Sequence, residues 1–244
     1  MAPTDAPSNP FALPRGPLGH VAGWLMARGN EAEQHEVADL LDVPVGARIL
    51  EVGFGPGRLV RLLAARFPTA LISGVDPSAT MLGQATRANR AATAGGRVEL
   101  RQGDAAHLPY PDRSFDRVLA VNSIAIWPDL GAGVDEIARV LCPGGTLVVA
   151  WHSAHSPSRM ARRLRLSECQ LCAIEQALAG RFGGVCRRDL PHVVAFLATR
   201  LAVIRSVVIR PAARRVACGP TGRRCRRPAR PWSRVRPPVR TRRR

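Results

Sequence analysis

Three short stretches of this 244-residue chain have residue types and spacings suited to cofactor chemistry. The first is ILEVGFGPGRLV, residues 49–60. A hydrophobic run enters Gly53-Phe54-Gly55-Pro56-Gly57, and a helical pattern starts at once. Glycines here permit a tight turn and let backbone approach a ligand closely. Pro56 is preset for the start of a helix. The dinucleotide-binding signature is G-x-G-x-x-G, whereas this loop is G-x-G-x-G with Glu51 two residues before its first glycine. A loop built for pyrophosphate gains nothing from a nearby carboxylate. One built for a cationic ligand, carrying an ammonium and a sulfonium, does. The competing reading is a turn that only packs helix on strand.

The second stretch is LISGVDPSATML, residues 71–82, with Asp76 at the end of a strand-like run. A carboxylate there accepts from both ribose hydroxyls of an adenosine-containing ligand, nicotinamide cofactors included. Asp76 could instead cap the next helix, a task Ser78 is equally suited to. The third stretch, VELRQGDAAHLPYPDRSFDR at residues 98–117, sets Asp104 just beyond a strand and a glycine. A short acid there can accept from an adenine amino group. Weaker candidates lie further on. Trp127 lines a pocket or packs under the sheet edge. His152 and His155 follow the fifth strand and are either general bases or ordinary loop histidines. Cys169 and Cys172 form a C-x-x-C inside a helical pattern, with no second pair or histidine at zinc spacing, so no metal site is expected.

To hold these residues the chain needs alternating strands and helices, and the pattern supplies them. Helices are expected before and after Gly29-Asn30, the second capped by Asn30. Strands follow at 47–52, 70–75, 98–101, 116–121 and 145–151, with helices at 58–66, 78–90, 134–141 and 166–182. Two more strand-like runs, 185–188 and 193–199, meet across Leu190-Pro191. That link is too short for a parallel crossover, so the pair should be antiparallel. The expectation is an α/β domain with a mostly parallel sheet covered on both faces.

Charge divides the chain differently. The formal charge is +18, and every one of the 36 basic residues is arginine. Residues 1–202 hold 21 arginines and all 18 acids, whereas residues 203–244 hold 15 arginines and no acid. The extreme charge therefore belongs to an Arg/Pro-rich tail, expected to be disordered because it cannot bury enough apolar surface. Residues 1–18 are Pro-rich and expected to be irregular, which leaves 19–202 as the folded domain. No secretory signal or membrane span is visible, so a cytoplasmic location is expected.

Taken in order, ILEVGFGPG, GVDPS, GDAAHLPYPDRSFD and LCPGG resemble the class I S-adenosylmethionine-dependent methyltransferase family, in the branch that includes quinone-biosynthesis enzymes. The resemblance covers roughly residues 19–200. It implies a Rossmann-like seven-stranded sheet of order 3-2-1-4-5-7-6, last strand antiparallel, with S-adenosylmethionine over the carboxyl ends of strands 1, 2 and 4. It also implies that Glu51, Gly53, Gly55 and Gly57 line the methionine side and Asp76 holds the ribose. Asp104 and Ala105 would flank the adenine, and Asn122 would face the methionine portion. Ala125 stands where a bulky aromatic is often found, so the acceptor pocket is expected to be altered. The implied function is methyl transfer to a small-molecule acceptor. Two other readings stay open. One is a nicotinamide-dependent oxidoreductase. The other is an RNA-modifying or nucleic-acid-binding protein that uses the arginine tail, whose polycation would in any case attract nucleic acid non-specifically.

Overall fold

The computed structural model describes residues 31–201. Seven strands form one sheet in the order β3-β2-β1-β4-β5-β7-β6, the order the resemblance implied. They are β1 (Arg48–Val52), β2 (Leu71–Asp76), β3 (Val98–Gln102), β4 (Phe115–Val121), β5 (Leu141–His152), β6 (Gly183–Asp189) and β7 (Val193–Thr199). Strands β3, β2, β1, β4 and β5 pair in parallel. Strand β7 runs antiparallel to both β5 and β6.

Period-two alternation splits the core between the two faces. Ile49, Leu119, Val148 and Ala150 point to one face, under α1 (Glu31–Asp39), α2 (Arg58–Arg66) and α3 (Ala79–Ala88). Leu50, Val118, Leu147 and Val149 point to the other, under α5 (Leu130–Val140) and α7 (Glu168–Ala179). Short helices α4 (Arg90–Ala94) and α6 (Arg159–Arg163) are the other α-helices among the described residues.

Where boundaries depart from the sequence pattern, side chains explain the shift. The helix expected over 78–90 stops at Ala88, and α4 restarts two residues later. Between them Asn89 donates through Nδ2 to the carbonyls of Ala85 and Gly57, at 2.9 Å each, and turns the chain. Helix α5 starts four residues earlier than the apolar pattern indicates. Asp129 caps it by accepting from Ala132 N–H, and Gly133 leaves room for the Trp127 ring. A Cβ at Gly133 would stand 2.5 Å from Trp127 Cε3, so Trp127 packs on this helix under the sheet edge. Strand β5 begins at Leu141 rather than at Gly145, because Gly144 N–H and Gly145 carbonyl pair with the backbone of Arg200. Helix α7 opens at a capping box between Ser167 and Gln170 and carries Cys169 and Cys172. The segments expected at 1–18 and 203–244, the first helix and the Asn30 cap lie outside the described residues.

Candidate functional site

The carboxyl ends of β1, β2 and β4 meet at one edge of the sheet, and the glycine loop lies across them. Gly53 N–H donates to the Val75 carbonyl at 2.7 Å, tying the loop to the end of β2. All three glycines hold positive φ, +83° at Gly53, +51° at Gly55 and +76° at Gly57, a region that penalises side chains. Their surroundings differ. A Cβ at Gly53 would stand 2.4 Å from Ser123 Cβ, and one at Gly57 would stand 2.6 Å from Ala85 Cβ. A Cβ at Gly55 would meet nothing within 4 Å. Gly53 and Gly57 are therefore packing glycines, while Gly55 fronts open space. Gly57 caps the start of α2 and is not among the residues that line the adjoining cleft.

That cleft, of about 60 Å³, is lined by Glu51, Gly53, Phe54, Gly55, Val121 and Asn122, among others. Glu51 sits in β1 on the same face as Ile49, where alternation calls for an apolar residue, and is 3% exposed. Its Oε2 is buried and has no hydrogen-bond partner. Burial first, and Asp76 second, push its carboxyl well above the usual carboxylate range, while the Val60 N–H opposes them. Asn122 follows β4 with φ +52°, an unusual backbone for any residue with a side chain. Its Oδ1 is likewise buried and unpartnered. The two residues that carry these orphaned acceptors both line one small cleft.

Asp76 ends β2 and binds the backbone on both sides. Its Oδ2 accepts from Gly55 N–H and its Oδ1 from Ser78 N–H, both at 2.9 Å. Burial raises its carboxyl above the ordinary range, and these two N–H groups pull it back. The cap of α3 is Ser78, which accepts from Met81 N–H, so Asp76 is not the helix cap. A carboxylate offers about four lone-pair sites. Two remain beyond those that the backbone uses.

Gly103 N–H donates to the Asp76 carbonyl at 3.1 Å, which brings Asp104 and Ala105 alongside the end of β2. Asp104 accepts from Ala106 N–H at 2.8 Å and stays half-exposed, while Ala105 is buried. Neither lines the cleft.

The two histidines separate. His155 is exposed, and its N–H donates to Ser153 Oγ. His152 is buried at the end of β5, with Nδ1 2.9 Å from Glu33 Oε1. Its ring is thereby tied to a carboxylate inside the protein.

Glu33 is the residue beside the cleft that sequence reasoning missed, since an acid in a helix's first turn is ordinary. It is 1% exposed, and its Oε2 accepts from Asn122 Nδ2 at 2.8 Å. One turn on, Glu36 accepts from the His192 and Val193 N–H groups at 2.9 and 3.1 Å. Helix α1 buries few apolar side chains, Val37 and Ala38. Carboxylates therefore do much of its docking. The available signal was spacing: Glu33 lies four residues before Val37, on the apolar stripe itself.

Residues 49–145 match a family model described as "Methyltransferase domain". The uncharacterized methyltransferase YdaC of Bacillus subtilis is 36% identical over 129 residues, which cover 53% of this chain and 69% of that protein. A demethylmenaquinone methyltransferase of Deinococcus radiodurans is 36% identical over 132 residues, 54% of this chain and 50% of that protein. The fatty-acid O-methyltransferase of Mycolicibacterium smegmatis is 40% identical over 111 residues, 46% of this chain and 39% of that protein. This chain thus spans about half or less of the length of the last two. Among solved structures, an S-adenosylmethionine-dependent methyltransferase from Aquifex aeolicus superposes with a TM-score of 0.60 at 17% identity, covering 73% of this chain and 97% of that one. The strand order, the glycine loop at the ends of β1, β2 and β4, and these matches together decide between the readings that Asp76 left open: the chain belongs to the class I S-adenosylmethionine-dependent methyltransferase family.

Proposed function

We propose that the cleft beside the glycine loop receives the amino-acid end of S-adenosylmethionine, and that the chain passes the methyl group to a small-molecule acceptor. The observation that carries this reading is the pair of orphaned buried acceptors, Glu51 Oε2 and Asn122 Oδ1. A buried polar atom without a partner costs about 1–3 kcal/mol. A ligand that brings N–H donors and positive charge offsets that cost. Pyrophosphate, which brings only acceptors and negative charge, makes it worse.

The remaining roles follow from position. Gly55 presents bare backbone to the ligand, Gly53 shapes the turn, and Gly57 supports it by seating α2 against α3. Asp76 uses its free lone pairs on the ribose hydroxyls, and Asp104 and Ala105 border the adenine. When bound, the cofactor supplies a sulfonium-activated methyl group and a neutral thioether leaving group. The protein's part is then to hold donor and acceptor in line and to keep water out, and positioning of this kind can be worth roughly 7–11 kcal/mol. Any proton that the acceptor carries would leave to solvent or to a base. His155, exposed near this edge, is the better placed of the two histidine candidates for that proton. His152 has its Nδ1 committed to Glu33.

The acceptor class rests on relatives. Relatives are named as a fatty-acid O-methyltransferase, a phosphatidylethanolamine N-methyltransferase and a demethylmenaquinone methyltransferase. We extend that acceptor class to this chain. The domain is assigned to residues 19–202. The tail at 203–244 is assigned only salt-sensitive, sequence-independent attraction to polyanions. No helix among the described residues is long and apolar enough to cross a membrane, and a cytoplasmic location accords with that.

The test is calorimetry of the full chain with S-adenosylhomocysteine and with NAD. Micromolar or tighter binding of the first alone is expected. Asp76→Ala should weaken it at least tenfold, because hydrogen bonds to a charged group are worth about 1.5–3 kcal/mol each. Binding of NAD instead, or an unchanged constant for the variant, overturns the assignment.

A further inference from the structure

We infer that Glu33 is a positioning residue that sets the polarity of the cofactor cleft, by fixing which end of the Asn122 amide faces it. The inference rests on the reading of the cleft given above.

An asparagine amide has two nearly isosteric ends of opposite character, an acceptor oxygen and a donor nitrogen. Left alone it can present either. At Asn122 the choice is made by chemistry outside the cleft. Glu33 Oε2 lies 2.8 Å from Asn122 Nδ2, and a carboxylate oxygen only accepts. The nitrogen must therefore turn to Glu33, and the oxygen is left on the other side as an unpartnered acceptor.

Glu33 has no freedom to do otherwise. Its side chain is 2% exposed, and its second oxygen is 2.9 Å from His152 Nδ1. Both oxygens are thus engaged by donors from the carboxyl ends of β4 and β5. The backbone of Asn122 is held as firmly, at φ +52° beside Ser123, whose Oγ donates to the Val52 carbonyl at 2.7 Å. A left-handed, non-glycine residue persists where its surroundings over-determine it. Here its neighbours leave an unpartnered acceptor buried in a residue that lines the same cleft as Glu51.

The consequence concerns selectivity for charge. With Oδ1 inward, Asn122 and Glu51 both favour an ammonium. With Nδ2 inward, the amide would repel it. Glu33 touches no ligand in this scheme, and its effect passes entirely through Asn122.

The experiment is a double-mutant cycle on the full chain, with two ligands. S-adenosylhomocysteine carries the ammonium, and 5′-methylthioadenosine shares its adenosine half but lacks the amino-acid end. Glu33→Ala and Asn122→Ala should each weaken S-adenosylhomocysteine about tenfold, the size of one hydrogen bond to a charged group. The double variant should lose no more than either single one, because both delete the same contact. Binding of methylthioadenosine should stay within about twofold throughout. Additive losses, or parallel loss of both ligands in Glu33→Ala, would make Glu33 a structural support and overturn the inference. Failure of the wild-type chain to bind S-adenosylhomocysteine would instead remove the underlying reading of the cleft.

If Glu33→Ala does not fold, the exchanged pair decides. In E33Q/N122D the amide now on α1 donates to the carboxylate now following β4. That carboxylate turns its other oxygen inward, so affinity should return to within about threefold of wild type. Asn122→Asp alone opposes two buried carboxylates and should lose at least tenfold. A double variant as weak as that single one also overturns the inference.

Discussion

The glycine-loop side of the site and its β4–β5 side are built in opposite ways. On the first, the candidate residues lie close in sequence: Glu51 to Gly57 run from the end of β1 through the loop, and Asp76 reaches back 21 residues to Gly55. On the second, a carboxylate from α1 meets an amide 89 residues away and an imidazole 119 residues away. The first side is backbone geometry, written in glycines. The second is a side-chain network with no motif at all. Local turns leave signatures because few residues tolerate positive φ. Long-range polar contacts leave none, because any acid on the right helix turn can serve.

The comparison is broken hardest within the loop itself. Gly57→Val should destabilise the fold by about 2–5 kcal/mol, from left-handed strain plus overpacking. The new side chain would begin 2.6 Å from Ala85 Cβ and 2.9 Å from its Cα, and backbone does not yield cheaply. Gly55→Ala meets nothing and should cost only the strain of about 1–2 kcal/mol. It should nonetheless weaken S-adenosylhomocysteine more than tenfold, by filling the space the ligand needs. Urea unfolding beside calorimetry separates the two. Equal stability losses in the two variants would mean that the loop's glycines are not divided between packing and binding.

A smaller effect sharpens the contrast through pH. The Glu51 carboxyl is raised by burial above its ordinary value of 4.5, so the folded state holds that proton more tightly than the unfolded state. Its contribution to stability is therefore full below about pH 4.5 and is lost as pH rises through the folded-state value. Glu51→Gln cannot ionise, and the ligand-free variant should be more stable than wild type at neutral pH, with the gap closing in acid. The same variant should bind S-adenosylhomocysteine more weakly. Thermal melts from pH 4 to 8 read the first effect. A wild type and variant that track each other in parallel would show that Glu51 ionises freely.

The smallest expected effect lies on the long-range side. His155 is exposed, so His155→Ala should leave stability within about 0.5 kcal/mol and leave cofactor binding unchanged. If His155 takes the acceptor's proton, that variant loses turnover alone, seen as a lower kcat at unaltered cofactor affinity. A loss of cofactor affinity would place the residue inside the cleft instead.

Much of this was legible in the residues. The alternation of strands and helices, the short Leu190-Pro191 link and the four ordered motifs pointed to the sheet that forms, with β7 antiparallel beside β5 and β6. Helix α2 spans Arg58–Arg66 and strand β7 spans Val193–Thr199, as their patterns indicate. Boundaries failed where a side chain from elsewhere intervened. Asn89 broke a helix that periodicity ran through, and Trp127 found its seat at a glycine that had weakened the helix signal of α5.

Composition and local pattern by themselves determined the fold class, the glycine turn and the acids that flank it, because each is imposed by backbone sterics or by alternation over a few residues. Tertiary structure alone decided which glycines pack and which one stays open, that His152 is tied to a buried carboxylate, and that this carboxylate, Glu33, also holds Asn122. Those outcomes depend on which distant atoms come within hydrogen-bonding reach, a matter of how α1 lies against the carboxyl ends of β4 and β5.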